Sequence, residues 1–273
     1  IEELEKIAAH LGLETSQRVD GDLDFIGFPD DNFAVDRGRI AKLPQALKEF
    51  GVRWGTHTRL DEADERLHDM AESGCIYIGF GAESASAHVM ELMDKGGFIL
   101  RKGMTSIHGY DFPATMVEGI KNCREVGIHA NCTWIMGYPG ETLHDLKTSI
   151  AFILWQQELY TQGLKSDSPE YETALASVNS KMFTATAYPG TAMFKDRAVK
   201  ESLSTNFAIR FDSEGEPVTD PAFREYILEL DDATKILHNE KGEPLNFSAI
   251  PTETYLQARE YIDNCDFEKV LDM

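Results

Sequence analysis

Four short segments of the sequence place oxygen-bearing side chains or glycines directly after runs of apolar residues. They are Pro29-Asp-Asp-Asn32, Thr58-Arg59, Gly79-Phe-Gly-Ala-Glu-Ser84 and Gly137-Tyr-Pro-Gly-Glu-Thr142. In parallel β/α folds, ligands bind at the carboxyl ends of the strands, and these segments follow the predicted strands. The sequence therefore indicates a ligand site that is assembled from several strand ends.

The segment around Gly79 has two interpretations. Gly79 and Gly81 would let the backbone approach a ligand, with Glu83 accepting hydrogen bonds from ribose hydroxyls and Ser84 capping the next helix. A glycine turn followed by an ordinary helix N-cap gives the same pattern, because the spacing is not GxGxxG. The turn at residues 137–142 is similar, since its proline and glycine fix a tight turn whose last residues can simply start a helix.

Two aspartates and one histidine could do metal chemistry. Asp30 and Asp31 could bind a hard metal or the ammonium group of an amino acid, or they could cap the next segment and stay solvated. His57 could join them as a ligand, or be a structural strand residue. A metal-assisted hydrolase is therefore one alternative, although its ligands come from only two strand ends. The sequence has no phosphate-binding GxxxxGK[ST] loop.

Composition narrows the class of partner. The chain of 273 residues has 47 acidic and 26 basic side chains, a formal net charge of −21. Such a field repels phosphate backbones and anionic lipids, and no basic patch offsets it, so we expect neither a nucleic acid nor a membrane as partner. The four cysteines, at positions 75, 123, 132 and 265, form no CxxC pattern. They favour a cytoplasmic protein with reduced thiols.

Helical periods and short apolar runs alternate along the chain, which predicts an α/β fold on a parallel sheet. Helices are predicted over residues 1–11, 37–50, 62–73, 86–95, 114–126, 143–161, 222–237 and 252–263. Strands are predicted over residues 24–28, 52–58, 75–80, 129–136 and 181–187, with a possible short strand at 207–211. Residues 98–113 and 165–180 show no clear period and are predicted to be loops.

Taken in order, the strand ends resemble those of radical S-adenosylmethionine (SAM) enzymes, especially the group that also carries a cobalamin-binding domain. The resemblance covers residues 1–195. It rests on Phe28-Pro-Asp-Asp-Asn-Phe33, Thr58-Arg-Leu-Asp61, Ser73-Gly-Cys75 with the following segment to Ser84, Met93-Asp-Lys-Gly96, Gly127-Ile128 with the turn from Gly137 to Thr142, and Ala187-Tyr-Pro-Gly-Thr191.

The resemblance implies a partial TIM-type (β/α) barrel of parallel strands and a set of cofactor-binding residues. In the family, a CxxxCxxC loop after the first strand holds a [4Fe-4S] cluster that chelates SAM, and reductive cleavage of SAM starts radical chemistry. By position, the cofactor-binding residues are Asp30 and Asp31 near the methionyl ammonium, Glu83 near the ribose with Ser84 beside it, Lys95 near the carboxylate, Thr133 facing the ribose, and Gly137, Tyr138 and Pro139 framing the adenine.

The sequence departs from the family at its start, because CxxxCxxC is absent and so is the strand that should precede the first helix. We therefore expect about five barrel strands with the first one missing, in a truncated barrel over residues 1–195 and a mostly helical extension over 196–273 that packs on the barrel. The chain also does not begin with Met, so we expect it to be the distal part of a longer protein, inert by itself.

For the parent enzyme, the resemblance implies SAM, a [4Fe-4S] cluster and a cobalamin in an upstream domain as cofactors. Its partners would be a small-molecule substrate and a reductant protein. Its reaction would be a methyl transfer or a radical rearrangement. The alternative is a binding module that kept the barrel, lost the cluster, and binds a nucleotide or another small molecule without radical chemistry.

Overall fold

A computed structural model of the protein describes Lys6 and residues 25–47, 51–179 and 181–273. Strands and helices alternate within these residues, which confirms the α/β class. The strands are β1 (Ile26–Phe28), β2 (Trp54–Thr58), β3 (Cys75–Glu83), β4 (Met104–Ile107), β5 (Tyr110–Pro113), β6 (His129–Met136) and β7 (Met182–Thr184). Five of them form a parallel sheet in the order β1-β2-β3-β6-β7. This is the predicted partial barrel sheet.

Thirteen α-helices lie in the described part of the chain. They are α1 (Arg37–Ile40), α2 (Leu43–Leu47), α3 (Arg66–Glu72), α4 (Ala87–Leu92), α5 (Gly96–Ile99), α6 (Ala114–Glu125), α7 (Leu143–Thr161), α8 (Pro169–Ala176), α9 (Ala192–Lys195), α10 (Arg197–Phe207), α11 (Pro221–Glu229), α12 (Thr252–Asp263) and α13 (Phe267–Asp272). Short 3₁₀ turns cover Phe33–Val35, Leu60–Glu62 and Leu100–Lys102. None of the described helices combines the length and apolar composition needed to cross a membrane.

Strand β6 shows why the sheet can carry a site. Along β6, buried residues alternate with half-buried ones, because successive side chains in a strand point to opposite faces. Cys132 and Trp134 lie on the buried face. Asn131 and Thr133 lie on the more accessible face. The accessible face can therefore present polar groups while the other face packs into the core.

The chain divides into two compact units. The first takes in the described residues up to Ala82, together with Gly96–Thr133 and Ile153–Asn179. The second takes in Glu83–Lys95, Trp134–Phe152 and the described residues after position 180. Each has its own hydrophobic contacts, such as Phe112 with Trp155 in the first and Trp134 with Phe152 in the second.

The prediction of a loop over residues 98–113 is wrong. This segment contains helix α5, a 3₁₀ turn and an antiparallel hairpin of β4 and β5. The hairpin turns at His108 and Gly109, which both have positive φ (51° and 83°), as the tight two-residue turns between antiparallel strands require. A His-Gly pair is not one of the strong turn signals, and strands of four residues are too short to show a clear period.

Three further predicted boundaries are corrected by local chemistry. The helix over 37–50 is interrupted after Ile40, because Pro44 lacks the N–H that a continuous helix needs. The loop over 165–180 contains α8, which begins at Pro169 and is capped by the hydroxyl of Ser168. The helix over 222–237 ends at Glu229, and Asp232 then turns the chain by accepting a hydrogen bond from the Thr234 amide at 2.8 Å.

Elsewhere the predicted elements are found, with shifts of a few residues at their ends. Strand β6 and helix α7 have the predicted bounds. The possible strand at 207–211 is reduced to an isolated bridge between Phe211 and Pro217. Helices α10 and α13 have no counterpart in the prediction. The helix predicted over 1–11 lies outside the described residues, apart from Lys6.

Candidate functional site

Glu83, the last residue of β3, has a strained backbone. Its φ of 62° lies in the left-handed region, which non-glycine residues seldom adopt and which costs free energy unless the surroundings hold it. Its carboxylate forms an ion pair with the ammonium group of Lys95. The Glu83 side chain is 16% exposed and that of Lys95 is 46% exposed. The two predicted cofactor residues are thus brought together at the end of one strand, with the lysine exposed and the glutamate partly buried.

Helix α4 connects these two residues and is fixed at both ends. Its N-cap is Ser86, whose hydroxyl accepts a hydrogen bond from the Val89 amide, so the expectation that Ser84 caps this helix is wrong. Ser84 is instead fully buried, and its hydroxyl lies 3.1 Å from that of Ser149. After the helix, the Lys95 amide donates to the Met90 carbonyl at 2.9 Å, which sets the position of the ammonium-bearing side chain.

The turn after β6 packs against the same helix. The Tyr138 hydroxyl donates to the carbonyl of Leu92 at 3.4 Å. A side chain at Gly140 would place its Cβ 3.0 Å from Leu92 Cδ1, so the turn and the helix are in close contact here. The second unit therefore holds Glu83, Lys95 and the turn 137–140 around one helix.

A buried carboxyl group stabilises this turn. Glu141 is fully buried, and its Oε2 accepts a hydrogen bond from the Gly137 amide at 2.5 Å. Burial raises its pKa to about 8, and the neighbouring Asp145 also raises it, while hydrogen bonds from the amides of Gly137 and Tyr138 lower it. The Glu141 carboxyl group is therefore mostly protonated at neutral pH. The sequence had suggested only that Glu141 starts a helix.

Asp145 is a second buried acid, and it stays ionised. Its carboxylate accepts hydrogen bonds from the Ser86 hydroxyl at 2.5 Å, from the amide and hydroxyl of Thr142 at 2.8 and 2.6 Å, and from His88 Nδ1 at 3.0 Å. Burial raises the pKa of Asp145, but these hydrogen bonds outweigh it, so the net shift is downward. Asp145 thereby connects the first turns of α4 and α7. Sequence reasoning missed it, although Thr142 and Asp145 have the spacing of a helix capping box.

The two predicted aspartates lie in the first unit, in an exposed loop after β1. Asp30 Oδ2 is 4.0 Å from Arg39 Nη1, and Asp31 is exposed. The next residue of the loop, Asn32, holds it in place, because its Oδ1 lies 2.8 Å from Thr58 Oγ1. Thr58 Oγ1 also lies 2.7 Å from Glu62 Oε2. The described residues contain no group of three or more His, Cys, Asp or Glu side chains that could hold a metal ion. Within the described part of the chain, Asp30, Asp31 and His57 therefore do not come together as a metal-binding group.

Thr133 and His57, also in the first unit, lie on strands of the sheet. Thr133 Oγ1 donates to the Phe80 carbonyl at 3.3 Å. The His57 side chain is exposed, and its ring lies over Gly79 on the neighbouring strand β3. A Cβ at position 79 would lie 2.3 Å from the His57 ring, so glycine is needed there for close approach. The sequence had suggested instead that Gly79 admits a ligand.

The four cysteines do not fit an iron–sulfur cluster. Such clusters are held by thiolates, but Cys75, Cys123 and Cys132 are buried. Burial raises the pKa of Cys75 and of Cys132 to about 12, and it also raises that of Cys123. Cys265 is exposed but belongs to no group of metal-ligating side chains in the described part of the chain. We therefore derive no reaction step through a cluster on these residues.

Comparison with known proteins identifies the family. Residues 2–153 match the model of the Radical SAM superfamily. The uncharacterized methyltransferase PH0819 of Pyrococcus horikoshii is 26% identical over 183 residues, which cover 66% of this chain and 33% of that protein. The present chain thus spans about a third of the length of the curated relative it matches.

Two solved structures share the fold. TsrM, a radical S-adenosylmethionine methyltransferase from Kitasatospora setae with tryptophan substrate and a SAM analogue bound, is 17% identical with a TM-score of 0.53, covering 98% of this chain and 45% of that one. The cobalamin-dependent S-adenosylmethionine radical enzyme OxsB is 15% identical with a TM-score of 0.50, covering 96% and 36%. At such identities the likeness concerns the fold alone. Since the family model matches more than half of its residues, the chain belongs to the Radical SAM superfamily.

Proposed function

We propose that the second unit binds S-adenosylmethionine at the ends of β3 and β6. In this proposal Glu83 accepts hydrogen bonds from the ribose hydroxyls, Lys95 neutralises the methionyl carboxylate, and Gly137, Tyr138 and Pro139 frame the adenine. The cofactor roles of Ser84 and, in the first unit, of Asp30, Asp31 and Thr133 stay predictions from the sequence and are not part of this site. SAM supplies an activated methyl group through its sulfonium when it is bound.

The strained backbone of Glu83, beside the ammonium of Lys95, is the observation that carries this proposal. A left-handed non-glycine residue at a strand end is typical of sites where function rather than stability fixes the conformation. The pair also matches the chemistry of the ligand, because a carboxylate accepts from neutral hydroxyls and an ammonium attracts a carboxylate. Without a ligand, the two side chains neutralise each other's charge in an ion pair.

Methyl transfer is the reaction class that we propose for the whole enzyme. The curated relative carries the name methyltransferase, and the solved relatives are a SAM methyltransferase and a cobalamin-dependent SAM radical enzyme. If the enzyme uses a [4Fe-4S] cluster, its thiolates are not supplied by the four cysteines of these residues. The contribution of the present residues is to bind and orient SAM.

Titration calorimetry with SAM tests the proposal. We expect saturable binding by the 273-residue chain and, for Glu83→Gln, at least about ten-fold weaker binding, because one charged hydrogen-bond acceptor is lost. Glu118→Gln is the matched control, since Glu118 forms an exposed ion pair with Lys102 on other elements. Equal weakening in both variants, or no binding by the unmodified chain, contradicts the proposal.

A cluster-free binding module is the second candidate, since the four cysteines of these residues, three of them buried, would leave nucleotide binding as the activity of this part of the protein. Such a module would recognise the adenosine part of a ligand without needing the methionyl carboxylate. Lys95→Ala separates the two candidates. It weakens SAM binding but not adenosine binding under the first proposal, whereas under the second it leaves both affinities unchanged.

A further inference from the structure

The residues after position 153, which the family model does not match, also contact the turn after β6. The Ala249 amide donates to the carbonyl of Glu141 at 2.9 Å. Tyr255 on α12 is fully buried, and its hydroxyl lies 2.7 Å from the point that a Cβ on Gly137 would occupy. The C-terminal segment thus meets this turn at both of its ends.

Gly137 lies between Tyr255 and Glu141. Its amide donates to Glu141 Oε2, while the Tyr255 ring and hydroxyl fill the space where any side chain would project. The φ of Gly137 is 85°, so the position also demands glycine for its backbone. The turn is therefore held by a carboxyl group on one side and a phenol on the other.

The polar atoms around this turn are closely coupled. In the described part of the chain, three of these atoms are buried and have no hydrogen-bond partner: Glu141 Oε1, Tyr255 OH and Thr184 Oγ1. Burial raises the pKa of Tyr255 to about 12, and the nearby Glu141 carboxyl group also raises it. In the described part of the chain, Tyr255 therefore meets the turn through packing rather than through a hydrogen bond from its hydroxyl.

We propose that Tyr255 is a positioning residue that holds the turn 137–140 in the shape that receives the cofactor. Because this inference rests on the proposed SAM site, its test needs one measurement that does not involve SAM. The aromatic ring of Tyr255 is the group to remove, since its hydroxyl has no hydrogen-bond partner in the described part of the chain. Tyr261 on the same helix gives a matched control, because it is half-buried and its hydroxyl accepts from Gln257 Nε2 at 3.1 Å.

Hydrogen–deuterium exchange of the ligand-free chain is the first measurement. In Tyr255→Leu, we expect the Gly137 and Tyr138 amides to exchange about five-fold faster than in the unmodified chain, because the turn loses the aromatic ring that packs against it. In Tyr261→Leu, the same amides should exchange at the original rate. Unchanged exchange in Tyr255→Leu, or equal acceleration in both variants, overturns the inference.

SAM affinity is the second measurement, made on the same proteins. Tyr255→Leu should weaken SAM binding by a similar factor, and Tyr261→Leu should leave it unchanged, with the unfolding midpoint recorded to exclude general unfolding. Faster exchange without any SAM binding by the unmodified chain would refute the proposed function but keep the role of Tyr255 in shaping the turn. SAM binding that is unaffected by Tyr255→Leu would refute the positioning role alone.

Discussion

Lys95 pairs with Glu83 across the full length of helix α4, and Glu83 itself has a left-handed backbone at the end of β3. A residue under this strain is expected to limit stability. We predict that Glu83→Gly raises the free energy of unfolding by up to about 1 kcal/mol, because glycine adopts this φ without cost, while it weakens SAM binding. Urea unfolding and calorimetry on one preparation check both effects. A destabilised Glu83→Gly protein would show that the conformation is not strained.

Asp145 is predicted to be the most sensitive polar position in the second unit. Asp145→Ala leaves the hydroxyls of Ser86 and Thr142 without their shared acceptor, so the free energy of unfolding should fall by about 2–4 kcal/mol. His88→Ala, which removes a half-exposed partner of the same carboxylate, should cost less than about 1 kcal/mol. Urea denaturation at pH 7 gives both values. Similar losses in the two variants would contradict this ranking.

The raised pKa of Glu141 predicts a pH dependence of stability with a definite sign. In the unfolded chain Glu141 ionises near its ordinary pKa of 4.5, whereas in the folded chain it stays protonated up to about 8. The unfolded state therefore binds fewer protons between these values, and the contribution of Glu141 to the free energy of unfolding falls as pH rises through this window.

Glu141→Gln isolates that contribution. The amide resembles the protonated carboxyl group and does not titrate, so the variant should gain stability over the unmodified chain as pH is raised from 5 to 8. Glu118→Gln, at an exposed ion pair, should show no such trend. A constant difference between the Glu141→Gln and unmodified proteins across this range would show that Glu141 is ionised in the fold.

Gly79 and His57 form a testable pair in the sheet of the first unit. Gly79→Ala puts a methyl group into the His57 ring, so we expect a loss of about 1–2 kcal/mol in unfolding free energy. In a His57→Ala background the methyl group has room, and the loss should nearly disappear. A double-mutant cycle from urea unfolding measures this coupling. Additive effects would mean that the ring moves away at no cost.

The burial of the cysteines predicts their reactivity. In the native chain, a thiol reagent such as Ellman's reagent should modify Cys265 rapidly and Cys75, Cys123 and Cys132 slowly, because the thiolate is the reactive form and their pKa values are raised. In urea all four should react. Anaerobic reconstitution with iron and sulfide should give no [4Fe-4S] absorption. Rapid reaction of a second thiol in the native chain would contradict the packing around these residues.

Local patterns explain which parts of the fold could be predicted from the sequence. Strand β6 shows a period of two, and helix α7 is long and follows a turn that contains Gly137-Tyr-Pro-Gly140. Both elements were therefore predicted with their bounds. The hairpin of β4 and β5 was missed because its strands have four residues each and its turn is His-Gly. The break before α2 was missed because the apolar period continues across Pro44.

The candidate site shows a similar division. Glu83 and Lys95 lie at the two ends of one helix, so a sequence pattern can indicate them together. Tyr255 contacts residues that are distant in the sequence, and its role depends on packing that no local spacing reveals. Asp145 has the capping-box spacing from Thr142, but its contacts with Ser86 and His88 come from the fold. Gly137 was indicated as part of a turn, but the reasons that it must be glycine are its φ of 85° and the Tyr255 side chain beside it.

The most direct test of the central claim is an NMR titration of the isotopically labelled chain with SAM, read at assigned backbone amides. We predict saturable shifts at Glu83, Lys95, Gly137 and Tyr138, with the Glu118 and Tyr261 amides unaffected. Shifts that are absent from these four residues, or that appear only among the surface helices of the C-terminal segment, would contradict a SAM site at the ends of β3 and β6.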